Sequence, residues 1–364
     1  MTPKKRLMPK FDMNNGLEFG LYTLGEHMPH PITGAYSTPR ERIKQIINMA
    51  QWAEEAGFDS FQVGESHQEY FVSQAHFAIL AAIAQATDHL KIGSSATIVS
   101  TDDPVRVFEA AATVDLISDG RFELVGGRAS RLGLFKLLGY DRRDYEALFE
   151  EKFELLLQIN NQERVTWEGN FRAPLDDMLV LPRTEHENGG IPIWRAVGGS
   201  MQSAMRCGEM GVPFQLAHLV GPAETFQMYI DRFRKSAQAA GYDAGNIPVC
   251  TGGFLCVRKN TLDAYRTCYE PIAAGLKKAN GTTLSKRIFA QGQDKRSIIN
   301  VGDPELIIDK LLYQHELFNN QRYIGQIDFG SLSEKDIRQT IDMMAEKVIP
   351  TVKKYTRKDE QYGG

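Results

Sequence analysis

With 364 residues, a formal net charge of −4 and 42 basic against 46 acidic side chains, the chain is long enough for one big barrel or two domains. It carries no basic run of the kind that grips nucleic acid. The N-terminal MTPKKRLMPKFDMNN has basic residues with no apolar stretch behind them, which speaks against a secretory signal, and no run of about eighteen apolar residues is present to cross a membrane.

After an N-terminal extension (1–15), strand and helix patterns alternate along the chain. Residues 17–24 (LEFGLYTL) read as a first strand. A helix over 40–56 is opened by Ser37 or Thr38 before Pro39 and closed by Gly57. A strand over 58–63, a helix over 75–87 and a strand over 90–99 follow, and Pro104 opens a helix that runs to 117. A fourth strand over 122–125 leads into a helix over 144–159. Residues 160–190 then hold prolines, glycines and short β-like pieces (164–167 and 178–181); both flanks are strongly periodic, so this stretch reads as an insertion. Alternation resumes with strands over 193–197, 212–217 and 248–257 and helices over 202–210, 224–240 and 262–275. A second irregular excursion spans about 276–300. A helix over 304–318, capped by Asp303, an eighth strand over 323–329 and a helix over 334–347 complete the pattern. A charged tail over 353–364 reads as flexible.

Eight strands, each followed by a helix, predict a TIM (β/α)8 barrel over 16–350 with an insertion after the fourth strand. The doubly wound alternative needs a glycine-rich first turn, and Gly25-Glu26-His27-Met28-Pro29-His30 offers none. The cysteines, Cys207, Cys250, Cys256 and Cys268, form neither a CxxC pair nor a zinc spacing. Cys250 and Cys256 share a strand face, and the expectation is a cytoplasmic protein with reduced thiols and no metal site.

Two segments look built for an anion. In FELVGGRASR, Phe122, Leu124 and Val125 run into Gly126-Gly127 and then Arg128. The glycines admit a ligand close to the backbone, and the guanidinium fork suits phosphate. In the second, Ile193-Trp194-Arg195-Ala196-Val197 is followed by Gly198-Gly199-Ser200 and a helical pattern from Met201, so that a helix N-terminus faces the ligand side. Both follow strands, at the end where a barrel holds its ligand.

Four stretches resemble one family: AGFDSFQVGESHQEYF from Ala56, KIGSSATIVSTDDPVRVFEAAATVDLISDGRFELVGGR from Lys91, PIWRAVGGSMQSAMRCGEMGVP from Pro192 and HELFNNQRYIGQIDFG from His315. The chain is similar to the bacterial luciferase-like, flavin-dependent monooxygenases, in their FMN-dependent branch, over about residues 16–350. The resemblance implies FMN at the C-terminal mouth, with Arg128, Gly198, Gly199, Ser200 and Ser203 around its phosphate and Gly127 and Val197 also binding the cofactor. It also implies a non-prolyl cis peptide at Ser95-Ala96 against the flavin ring. It further implies reduced FMN supplied by a separate flavin reductase, O2 as co-substrate, a C4a-peroxyflavin that oxygenates a small organic substrate, and a homodimer. A terminal phosphomonoester needs only one arginine and a helix start, which favours FMN over the deazaflavin F420.

The family's usual Glu-His-His reads Glu65-Ser66-His67 here. Serine hydrogen-bonds but does not exchange protons near neutrality, whereas histidine does. His67 is then the candidate acid/base or substrate anchor, against a rim histidine bonded to backbone. Glu65 reads as a tie between strand ends. His27, His30, Tyr22, Gln326, His218 and Asp102-Asp103 are weaker candidates at the same rim. Loss of the first histidine also keeps open a non-catalytic flavin-binding protein, and an F420-dependent oxidoreductase is a further alternative.

Overall fold

The computed structural model describes residues 4–128 and 133–358, so Ala129 to Arg131 of the arginine motif and residues 359–364 of the charged tail lie outside the described residues. Eight parallel strands close on themselves: β1 (Glu18–Thr23), β2 (Ser60–Val63), β3 (Lys91–Ser94, resumed at Thr97–Ile98), β4 (Phe122–Gly127), β5 (Ile193–Val197), β6 (Phe214–Ala217), β7 (Val249–Val257) and β8 (Arg322–Gln326). Each pairs with the next, and β8 returns to β1 with Glu18 opposite Arg322 and Tyr22 opposite Gln326. This is the expected TIM barrel.

The helices start where the sequence signals them. Thr38 and Glu41 form a capping box around Pro39, and Asp103 and Asp303 cap helices whose first residues are Pro104 and Pro304. These side chains satisfy N–H groups that the first helical turn leaves free. Alternation along the strands then divides the core. Phe19, Leu21, Phe61, Val63, Ile92, Phe122 and Leu124 are buried in the large apolar cluster that includes the helices, whereas Tyr22, Val125, Trp194, Cys250 and Ile324 form a small cluster of their own.

The N-terminal end of the lumen is charged. Arg322, fully buried, donates to Glu18 at 2.8 Å and to Glu123 at 2.7 Å, and the Trp194 indole N–H reaches Glu123 at 2.8 Å. Burial pushes the Glu123 carboxyl up, but Arg322, Lys91 and the indole N–H outweigh it and leave the group below its ordinary range. The N-terminal extension lies here: Phe11 meets Trp194 edge-on at 6.0 Å and lies 5.0 Å from the Arg322 guanidinium.

Four expectations change. Cys256 and Cys268 are joined as a disulfide, while Cys207 and Cys250 are free and buried; the reading of four reduced thiols is therefore wrong. The helix Thr261–Asn280 folds back along its own strand and brings the two sulfurs together, a pairing that no local spacing announces. The excursion at 276–300 is more regular than expected, holding the end of that helix, a short helix Lys286–Ala290 and a strand Asn300–Gly302 that pairs with β7. The helix Ile349–Thr356 extends into the segment read as a flexible tail, anchored where the Thr356 hydroxyl accepts from the Leu17 N–H at 2.8 Å. Within the insertion, Arg164–Trp167 pairs antiparallel with Leu175–Leu179, earlier than the 178–181 expected. No helix among the described residues is long and apolar enough to cross a membrane.

Candidate functional site

The two anion segments meet on one rim. β4 and β5 are parallel neighbours with Gly126 opposite Arg195, so Arg128 and the turn leaving Val197 emerge side by side at the C-terminal mouth. The Arg128 guanidinium lies 5.4 Å from the Tyr145 ring and 5.5 Å from the Phe149 ring. It donates to the Glu146 carboxylate, whose side chain is 68% exposed. Glu146, Tyr145 and Phe149 all belong to the helix Tyr145–Asn161, and the sequence reading gave none of them a role. Gly198 and Gly199 are exposed. Gly199 has φ +128, and a Cβ at either glycine would meet nothing within 4 Å, so the space beside this turn is open. Ser200 caps the helix Met201–Met210, accepting from the Ser203 N–H at 3.2 Å, and the Ser203 hydroxyl is buried without a partner. One arginine, one helix N-terminus and the capping Ser200 thus border an open space at the rim, with the Ser203 hydroxyl buried behind them, an arrangement that suits a phosphate.

The Tyr229 hydroxyl donates to the Gly199 carbonyl at 3.2 Å and fixes this turn from the next helix. If this turn holds a flavin phosphate, Tyr229→Phe, which removes one neutral hydrogen bond, should lower FMN affinity roughly two- to fivefold and leave riboflavin, which lacks the phosphate, unaffected. Parallel titrations with both flavins check this. Equal losses for the two would detach Tyr229 from the phosphate turn.

Beside the rim, β3 is interrupted where the Ser95-Ala96 peptide is cis, as the resemblance implies. A Cβ on Gly64 would stand 2.3 Å from the Ser95 carbonyl oxygen, and one on Gly127 would stand 2.7 Å from the Ala96 Cβ and 3.4 Å from that of Ala196. Glycine is needed at both positions. Gly127, Ala96 and Ala196 together make a shelf of small groups inside the mouth.

Glu65 follows β2 and ties this region together. Its backbone N–H donates to the Ala96 carbonyl at 3.1 Å, and one carboxylate oxygen accepts from the Ile98 N–H at 2.7 Å. The other oxygen lies 2.6 Å from His67 Nε2. Glu65 is therefore both the expected strand tie and the orienting partner of His67, whose side chain is 13% exposed. Ser66 is buried. A residue that the sequence reading passed over, His76, places Nδ1 3.9 Å from Glu65 and Nε2 2.8 Å from the Thr97 hydroxyl. Burial pushes its pKa down to about 4, against an opposing pull from Glu65, so it is neutral at pH 7.

The weaker candidates divide. Tyr22 donates to Gln326 at 3.3 Å and Gln326 to Glu26 at 3.2 Å, all three buried. His27 is buried against the Ser37 carbonyl at 2.7 Å and stacked on Tyr36. The His30 ring accepts from the Ile32 and Thr33 N–H groups of its own loop. Asp103 caps its helix and pairs with Arg172 at 3.0 Å, and burial raises the Asp102 pKa. His218 does not reach the rim: it is fully buried between Phe226 and Phe318, both ring nitrogens without partners. Gln215, on β6, was also missed. It donates to Ser95 Oγ at 2.9 Å and to Gln62 Oε1 at 3.2 Å.

Known proteins resemble this chain to differing extents. The alkanal monooxygenase alpha chain of Photorhabdus luminescens is 26% identical over 229 residues, covering 63% of this chain and 62% of the relative; the match thus spans less than two thirds of that protein. Among solved structures, monooxygenase RslO1 from Streptomyces bottropensis superposes with a TM-score of 0.80 at 21% identity, covering 92% of this chain and 99% of its own. The oxygenating constituent of 3,6-diketocamphane monooxygenase from Pseudomonas putida, solved with FMN, gives 0.75 at 15% identity over 92% and 99%. An F420-dependent secondary alcohol dehydrogenase gives 0.69 at 19% identity over 93% and 99%. At these identities the structures establish a shared fold. The luciferase-like monooxygenase profile matches residues 17–320, a span that holds the shelf, the arginine rim and the serine-capped turn alike, and the chain belongs to that family.

Proposed function

We propose that the protein is an FMN-dependent monooxygenase that oxygenates a small organic substrate. The convergence of Arg128 with the Gly198–Ser203 turn on adjoining strand ends carries this reading. A dianionic phosphomonoester matches one guanidinium, the N–H groups of a helix start and the Ser200 and Ser203 hydroxyls. The small groups at Gly127, Ala96 and Ala196 leave room for a flat ring, so the residues present fit FMN. When bound in reduced form, FMN supplies the electrons that activate O2; a separate flavin reductase would provide it.

The chain's own contribution is positional. Arg128, Gly198, Gly199, Ser200 and Ser203 hold the phosphate, with the Val197 backbone beside them. Ser95 and Ala96 support the ring, and Glu65 fixes the His67 imidazole as the proton carrier in place of the histidine that Ser66 replaces. Family resemblance further supports a homodimer.

Rapid mixing of the protein–reduced FMN complex with oxygenated buffer tests the reading. A flavin absorbance transient absent from free FMN, whose decay responds to a substrate, supports the oxygenase. Reoxidation indistinguishable from free flavin supports a binding protein instead. Tight uptake of F420 in preference to FMN would assign the site to a deazaflavin oxidoreductase.

A further inference from the structure

Barrel lumens are ordinarily filled by branched apolar side chains, yet here a carboxamide crosses the lumen. Gln215 reaches from β6 to the hydroxyl of Ser95, 120 residues away, at 2.9 Å, and to the Gln62 carboxamide on β2, 153 residues away, at 3.2 Å. Gln62 and Gln215 are only 1% and 5% exposed. Gln62 Nε2 and Gln215 Oε1 are buried with no further partner. Buried polar atoms left unsatisfied are costly, so three apolar side chains would fill this space at lower cost. Rotating both carboxamides together exchanges donors with acceptors and keeps every contact, and the Ser95 hydroxyl can meet either end of the Gln215 amide.

We propose that Gln215 is a positioning residue for the flavin site: it braces Ser95 from across the lumen and so sets the height of the Ser95-Ala96 shelf under the ring. Gln62 in turn holds Gln215. The inference rests on the FMN reading above and adds to it a residue on a strand that carries none of the phosphate contacts. Glu65 already fixes the shelf from outside, through the Ala96 carbonyl and the Ile98 N–H. The Ser95 hydroxyl is held from within the lumen, by a side chain from β6.

The test is a cycle of Ser95→Ala, Gln215→Leu and the double variant, each titrated with FMN and followed by the visible absorption of the bound flavin. Thermal midpoints are recorded alongside. Ser95→Ala removes a single oxygen and leaves the fold intact. Each single variant should weaken FMN binding roughly tenfold and displace the visible band, with the double variant no weaker than Gln215→Leu alone, because both changes remove one link. Additive losses, or an unchanged affinity and spectrum in a folded Ser95→Ala protein, overturn the brace. A midpoint that falls while affinity and spectrum hold assigns Gln215 to stability alone and likewise overturns it. If the wild type binds no FMN, the flavin reading fails and the brace goes with it, a result distinct from either of these.

Discussion

Replacing Arg128 by alanine will weaken FMN binding by about 1.5–3 kcal/mol, roughly a 10- to 150-fold rise in Kd, and will leave riboflavin binding nearly unchanged. The size follows from the setting. Arg128 is 13% exposed and held over the Tyr145 and Phe149 rings, so its fork is pre-oriented and part of its ordering cost is met before a ligand arrives. The gain is limited because Glu146 already pairs with the same guanidinium, and phosphate must displace it. Glu146 is well exposed, and exposed ion pairs are worth little, so the exchange favours the dianion. Fluorescence titration of both flavins against wild type and variant is the measurement. Equal FMN affinity in the two proteins removes Arg128 from the phosphate role.

Acid will destabilise the fold through two neutral histidines. Burial lowers the pKa of His76 to about 4 and that of His218 to about 4, against about 6.5 in the unfolded chain. Between these values the unfolded state binds more protons, so stability rises with pH across the window and is lost as pH falls from about 6.5 toward 4. Each histidine contributes a loss of about 3 kcal/mol by pH 4. His186 runs the other way: a hydrogen bond to Asp115 raises its pKa, and its contribution fades as pH rises through the raised value. Urea unfolding of wild type and His218→Leu at pH 7 and pH 4 isolates one group. The wild type should lose about 3 kcal/mol more than the variant over that interval; parallel losses would show that His218 finds a partner in the folded protein.

How far the sequence carries depends on where each signal sits. The helices Pro104–Ile117 and Pro304–Phe318 were legible to the residue, because an aspartate cap and a proline mark the start and apolar periodicity runs to the end. The strand Ile193–Val197 and the turn to Ser200 were equally plain. The short strand Asn300–Gly302 was not, since three residues contain no period. Pairings across elements were invisible for a different reason: Glu146 with Arg128, and Cys256 with Cys268, depend on how helices dock. His218 was misplaced although alternation held the answer. Gln215 faces the lumen, and Ala217 shares its parity, so the next side chain must point outward into the helix layer. The same parity marks Gln215 as a polar residue at an interior position, which is the signal that would have found it.

Phe11 packs edge-on against Trp194 and beside the Arg322 guanidinium, and that contact has a topological corollary. It corks the vessel at the base, where the buried Arg322 cluster already blocks passage. With that end filled, the open space beside Gly198 and Gly199 lies at the opposite, C-terminal mouth, and a ligand held there would have to arrive and depart on that same side.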